Sequence, residues 1–241
     1  MLQAMFNSGA VTALAAGGYA YAAMGPSSQL FGATLIAGND PAQFALTYDD
    51  GPNDPDTLRL LDVLAHHHVH ATFFLIGRFV RQRPEIARAI ADAGHLVGNH
   101  TMTHPLLVLR PPAEVRRELA ECNSAIEDAI GAPVRYFRPP HGGRRPDVLR
   151  AARELGLTPV MWNAMGYDWK PMQAEQVLAN VEKGIARNHL RKRGSNILLH
   201  DGGQAGIGQD RMHTVKATAL LLEKYTAADA GIRFVTPAIW G

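Results

Sequence analysis

From residue 43 onward the chain alternates short apolar runs with helical patterns, and that rhythm restricts its fold more than any other feature. The apolar runs, each bounded by turn residues, are Gln43–Thr47, His70–Ile76, His95–Gly98, Val134–Phe137, Thr158–Trp162, Asn196–Leu199 and Ile232–Val235. Each is expected to form a strand, and Leu30–Ile36 is expected to form a further short one. The first helical pattern opens at Asp54-Pro55, with Asp as N-cap and Pro in the first helical position, and repeats Leu58, Leu61 and Leu64. Further helices are expected over about Arg78–Ala93, from Pro111-Pro112 through Val115, Leu119, Cys122 and Ile126, over about Pro146–Leu155, over about Ala174–Ala186 and over about Met212–Ala228. Such alternation implies parallel strands joined by right-handed crossovers. About seven strands with six helices favour an α/β fold built as a distorted (β/α) barrel, closed or incomplete, over an open sheet. With 241 residues, 46% of them hydrophobic, the chain can fill one core of that size as a single domain.

Residues 1–40 read differently from 41–241. The first 39 residues carry no Lys, Arg, Asp or Glu, and Gly9–Met24 is rich in Ala and Gly. The segment is short for a membrane span and has the length of a signal-peptide core, with Ala20-Tyr21-Ala22 as a small-x-small site, yet no basic residue precedes it. Signal, anchor and packed extension all remain open, so cell-envelope, secreted, membrane-associated and cytoplasmic locations do too. Twenty-four basic residues against 22 acidic give a net charge of +2 and no electrostatic case for nucleic acid. The lone cysteine, Cys122, excludes an intramolecular disulfide and falls in a helical core pattern.

Reactive side chains cluster just past the strands. Asp49 and Asp50 follow the first; His100 and His104 follow the third; Arg138 and His141 follow the fourth; Asp168 and Trp169 follow the fifth; His200 and Asp201 follow the sixth. In a parallel barrel these positions share the face that carries the active site. Asp49-Asp50 alone is readable as a turn, but adjacent carboxylates repel, so a second role such as holding a cation is indicated. His-x-x-x-His is a weak signal alone. Beside the two carboxylates it becomes a two-His, one-carboxylate set with open positions, suited to Zn2+ and compatible with Co2+ or another divalent metal. The second Asp would then take a proton from water, and His200 would protonate a leaving group. Arg138 would orient a carboxylate and Asp168 would hold His200, although those two charges also fit an ordinary ion pair. Tyr167 and Trp169 offer aromatic faces for a sugar ring, whereas Trp162 and Trp240 read as packing. His66-His67-His68 with His70 reads as a solvated helix end, and Arg191-Lys192-Arg193 as a solvated loop.

Thr-Tyr-Asp-Asp-Gly-Pro, His-Thr-Met-Thr-His, Arg-Pro-Pro-His-Gly, Asp-Trp and Leu-Leu-His occur in that order over about Gln43–Val235. Together they resemble the five motifs of the polysaccharide deacetylase family, the NodB-homology domain of carbohydrate esterase family four. The resemblance implies a distorted barrel, a divalent metal, usually zinc, and a polysaccharide or oligosaccharide partner. Position by position it implies Asp49 as base, Asp50, His100 and His104 as metal ligands, Arg138 orienting Asp49, and Asp168 tethering the acid His200. It also implies an oxyanion contact from the His141 amide, and Trp169 and Leu198 as walls of the acetyl pocket. Tyr48 stands where Phe is usual, His141 where Tyr is frequent, and Met165 where a further Asp is frequent. The last departure bears on the loop before Trp169. The expected activity is metal-dependent N-deacetylation of an N-acetylglucosamine polymer, peptidoglycan or chitin-like. The alternatives are an acetyl-xylan esterase or small-amide hydrolase on the same site, and a catalytically silent carbohydrate-binding domain.

Overall fold

The computed structural model describes residues 16–227 and 230–241. Its centre is the parallel strand β1 (Gln43–Gly51), buried along nearly its whole length. On one side follow β2 (Thr72–Leu75), β3 (Leu96–Asn99), β4 (Tyr136–Phe137) and β5 (Thr158–Pro159); on the other lie β7 (Ser195–His200) and β6 (Ala164–Met165). The short β8 (Arg233–Phe234) pairs with the start of β1. Every pairing is parallel, and the sheet curls into an incomplete barrel. Residues 35–36 fill the gap: the Leu35 amide donates to Pro159 O at 2.8 Å, and Asn196 Nδ2 donates to Ile36 O at 3.0 Å. The strand expected at Leu30–Ile36 is therefore a single bridge, Leu35 to Val160, within a turn-rich stretch.

The alternation expected from sequence holds, with local differences. Strand β6 was hidden inside a stretch too short to show a pattern. Helix α1 (Asp56–His66) starts one residue past Pro55, so Pro55 rather than Asp54 takes the N-cap position and offers no side-chain acceptor, while the Asp54 carboxylate lies 2.6 Å from Arg83. Its buried stripe is Thr57, Leu60 and Leu64, while Leu58 is 40% exposed. Burying Leu60 and Leu64 contributes about 1.5–3 kcal/mol each. The helix expected over Arg78–Ala93 is two, α2 (Gly77–Gln82) and α3 (Pro84–Asp92). Pro84 excludes Arg83 from helical geometry (φ −136°) and restarts the helix from its own first position.

Helix α4 (Pro112–Ile130) buries Val115, Leu119, Cys122 and Ile126 as its periodicity requires, and ends at Gly131 with φ +70°. Burial pushes the Cys122 thiol up to about 12, that of an inert core residue. Helices α5 (Pro146–Glu154), α6 (Ala174–Leu190) and α7 (Met212–Tyr225) complete the outer layer. α6 runs one turn further than expected; the end expected for α7 at Ala228 lies outside the described residues.

Residues 16–24 are helical and lie on the domain; the rest of the Gly9–Met24 segment falls outside the described residues. Ala22 and Ala23 are buried, and the buried Arg144 donates to Gly25 O at 2.8 Å and Ser28 O at 2.7 Å. Among the described residues no helix is long and apolar enough to cross a membrane. The His66–His70 tract lies at the end of α1, and Trp240 packs against Gly38 while its indole donates to Gln43.

Candidate active site

In a regular strand neighbouring side chains point to opposite faces, so Asp49 and Asp50 should diverge. They converge because β1 bulges between them. Asp49 pairs with Phe74 and Gly51 with Leu75, leaving Asp50 as the extra residue at φ +73°, a region Asp tolerates better than most residues. The strand thus runs through the two carboxylates to Gly51 rather than ending at Thr47. Close packing holds the bulge: a Cβ on Gly51 would lie 2.3 Å from Asp201 Oδ2, and one on Gly202 would lie 2.2 Å from Asp50 O.

His100 and His104 sit in a tight loop after β3, not on a helix, with Thr101 and His104 both at positive φ. Buried Glu118 of α4 ties the loop down, accepting from the Thr103 amide at 2.8 Å and the Thr103 hydroxyl at 2.7 Å. His100 Nδ1 donates to Arg138 O at 2.7 Å, and His104 Nδ1 donates to Gln204 Oε1 at 2.9 Å. Both tautomers therefore leave an Nε2 lone pair facing Asp50 Oδ1, at 3.4 and 3.1 Å. That oxygen is buried and accepts no hydrogen bond. Asp50, His100 and His104 offer ligand atoms all within 4.8 Å of one another, the one such group among the described residues. Three converging lone pairs around a buried, unpartnered oxygen fit a divalent cation. Burial pushes the Asp50 carboxyl up, but the two imidazoles outweigh it and hold the group well below the usual range. Burial pulls His100 down, yet Asp49 and Asp50 hold it above its ordinary value.

Arg138 is fully buried. Its Nη1 donates to Asp49 Oδ1 and to Thr47 Oγ1, both at 2.8 Å, and its guanidinium lies 4.2 Å from the Phe74 ring centre. Burial lowers its pKa, and Asp49 offsets part of that. Asp49 Oδ2 points at His100 Nε2 from 3.6 Å, so one oxygen is held by the arginine and the other faces the cluster.

Across the cavity, Asp168 is fully buried, with Oδ1 2.8 Å from His200 Nδ1 and Oδ2 accepting from the His200 amide at 2.7 Å and Thr214 at 2.8 Å. Arg138 and Asp168 therefore do not form the ion pair that the sequence left open; each serves a different partner. Burial would depress His200, but Asp168 first and Asp50 and Asp49 after it raise it to about 9, so the ring is cationic at neutral pH. Burial pushes Asp168 up, and His200 and Thr214 hold it below its ordinary value. Asp201 is buried and pushed up to about 7, chiefly by burial; it accepts from Thr57 and braces the bulge rather than facing the cavity.

Asp49, Asp50, His100, His104 and His200 line one cavity of 450 Å3 together with His141, Leu198 and Trp169, while Arg138 and Asp168 stand behind its wall. The His141 ring packs on His104 at 4.7 Å and Trp169 packs edge-on against His200 at 5.4 Å. Tyr167 does not line this cavity; it flanks Trp169 at 5.4 Å and faces an adjoining groove. Tyr48, one of the departures noted above, stacks on Phe73 and its hydroxyl meets Thr218 at 3.0 Å, a bond that Phe would lack. Sequence reasoning missed Glu118, Gln204 and Thr214, which orient the loop, His104 and Asp168. None has a local signal, because each reaches its partner from a distant element.

A cation site between a carboxylate held by Arg138 and an imidazolium held by Asp168, at strand ends of a parallel barrel, defines a metal-assisted hydrolase class of site. The chain belongs to the polysaccharide deacetylase family, whose model matches residues 37–160. It is 40% identical over 167 residues to a chitooligosaccharide deacetylase of Rhizobium leguminosarum bv. trifolii, covering 69% of this chain and 74% of that relative. Its fold is similar to a crystal structure of a peptidoglycan N-acetylglucosamine deacetylase at TM-score 0.73 and 32% identity, covering 83% of this chain and 89% of the other. A pseudoenzyme of carbohydrate esterase family four from Bacillus anthracis is similar at TM-score 0.71 and 29% identity, covering 84% and 67%.

Proposed function

We propose that the protein is a metal-dependent N-deacetylase of N-acetylglucosamine-containing glycans. One observation carries the proposal: Asp49, bonded to Arg138, and His200, bonded to Asp168, line one cavity with the Asp50, His100 and His104 cluster. Similarity to a pseudoenzyme means that the fold alone does not argue for turnover. Support comes from the residues: Asp49, His200 and the Asp50, His100 and His104 cluster line one cavity.

Asp50, His100 and His104 would hold the cation, zinc or cobalt by their N,N,O character. A cation held there supplies Lewis acidity toward a carbonyl oxygen and lowers the pKa of water. Asp49, oriented by Arg138, accepts a proton as water adds to the acetamide carbon. His200 donates its Nε2 proton to the departing nitrogen, so the C–N bond breaks to a neutral amine, a far better leaving group than an amide anion. Leu198 and Trp169 wall the space for the acetyl methyl, and the His141 amide is assigned to the oxyanion. Tyr167 contributes beside the cavity rather than in it. A cell-envelope location fits a glycan substrate of this kind, with the domain 41–241 completed by the packed extension of residues 25–36.

The test is acetate release from chitooligosaccharide and from peptidoglycan. We expect metal-stimulated release that a chelator, Asp49→Asn and His200→Ala each abolish. Release unaffected by all three would sink the proposal, and glycan binding without turnover would favour a silent binding domain. Faster release from acetylated xylan than from either N-acetyl substrate would make the protein an esterase.

A further inference from the structure

A groove of 480 Å3 adjoins the catalytic cavity and shares Trp162 and Met165 with it. It runs between β6 and α6, beside the seam of the barrel that residues 35–36 fill, and Pro26 and Ser27 of the N-terminal segment also line it. Asn180, Lys183, Arg187 and Arg191 line it, spaced so that they share one face of α6 and its C-terminal end. The groove continues into a second hollow of 450 Å3 lined by Arg191 and Arg193. No Asp or Glu lines either, although the chain carries 22 acids against 24 bases.

Among the described residues, none of the four cations is paired with a carboxylate. Arg187 Nη2 is pinned to Asn163 O at 2.7 Å and Arg193 Nη2 to Ala37 O at 2.9 Å, which hold both guanidinia against the groove wall. At the junction with the cavity, Trp162 is 7% exposed and its indole N–H is buried without an acceptor. On the opposite side of the cavity, past Trp169, the adjoining hollow mixes Lys170 and Lys216 with Glu175 and Asp210 and offers no comparable preference.

We infer that the seam groove is an anionic subsite: it takes carboxylates borne by the same glycan chain whose acetamide occupies the catalytic cavity. This rests on the deacetylase reading and deepens it, making a carboxylated polymer such as peptidoglycan the preferred substrate class over neutral chitooligosaccharide. A membrane surface fits less well, because the cations line a concave channel joined to the active site rather than a flat face. The carboxylate is either the lactyl group on alternate sugars or the acid of an attached peptide, and both present the same charge to Lys183, Arg187 and Arg191.

The experiment compares the full protein with Lys183→Gln/Arg191→Gln, two exposed positions remote from the acid, base and ligands. The substrates are N-acetylated glycan strands with free lactyl carboxylates, the same strands carrying peptides, and neutral chitooligosaccharide. We expect kcat/KM on the anionic strands to fall on the order of tenfold in the double variant, that of two screened ion pairs. The neutral substrate should be unchanged, and the wild-type preference should shrink as salt rises. The strand that loses most identifies the source of the carboxylate. Equal losses on all three, or none, overturn the inference. If the wild type releases acetate from none of them, the deacetylase reading fails. The groove is then judged by equilibrium binding of the anionic strands, and binding that the double variant leaves intact overturns it. Loss of binding to anionic phospholipid vesicles with glycan binding unchanged would overturn it too, in favour of a membrane contact.

Discussion

Arg138 and Arg144 lie on one loop, both essentially buried at 0% and 1% exposure, and do opposite things. Arg138 reaches inward to a carboxylate, Asp49. Arg144 meets only carbonyls: Gly142 O at 2.9 Å, Gly25 O at 2.8 Å and Ser28 O at 2.7 Å. A guanidinium is costly to bury, and these are two ways of compensating it. One pairs with a formal charge and in doing so fixes the orientation of a site residue. The other gathers dipoles and staples residues 25–28 to the rim. The same residue type, a few positions apart, serves chemistry in one case and architecture in the other.

The sharpest break between them is substitution by alanine. Arg138→Ala should lower kcat at least a hundredfold, the scale of a misplaced general base. It should also cost about 3–5 kcal/mol of stability in a denaturant titration, because Asp49 is left buried and unpaired. Arg144→Ala should cost about 2–3 kcal/mol through its lost charged hydrogen bonds, and should leave kcat of the folded protein within about twofold. Equal losses of kcat in the two variants would erase the distinction.

A smaller effect concerns His200, whose partner Asp168 plays the part toward an imidazolium that Arg138 plays toward a carboxylate. His200 is raised to about 9, so activity that needs its proton persists at neutral pH and is lost as pH rises through that value. Its contribution to stability has the same sign: full below about 6.5, and lost as pH rises through about 9. Asp168→Asn removes the largest raising charge, so the basic limb of the kcat/KM profile should move to lower pH by more than about one unit. A limb that stays in place would take His200 out of the acid role.

The mildest change is expected at Gln204→Ala, which frees His104 Nδ1. Cation affinity measured by competition with a chromogenic chelator should weaken about tenfold, with thermal stability little changed. Acid pH should weaken it as well, because His100, held above its ordinary value by Asp49 and Asp50, takes a proton in competition with the cation.

Much of this was legible in the chain. The alternation of apolar runs and helical patterns is local, and it places Asp49, Asp50, His100, His104, Arg138, Asp168 and His200 at or just past strand ends. The helical stripe of α4 held because four core residues at regular spacing leave one solution. What failed was short or conditional. β6 has only two residues, Pro55 rather than Asp54 falls at the cap of α1, and Leu30–Ile36 is a gap-filler because the barrel does not close. Arg144, Glu118 and Gln204 act across long sequence separations, where spacing carries no information.

The adjacent carboxylates divide the two kinds of knowledge most clearly. The sequence by itself determined that Asp49 and Asp50 stand together at the mouth of a parallel barrel, because hydrophobic patterning and crossover geometry put them there. Only the tertiary structure decided that both can face that mouth. A regular strand would have turned one of them away, and the bulge that prevents it depends on the register of β1 against β2 and on Gly51 and Gly202 packing close around it.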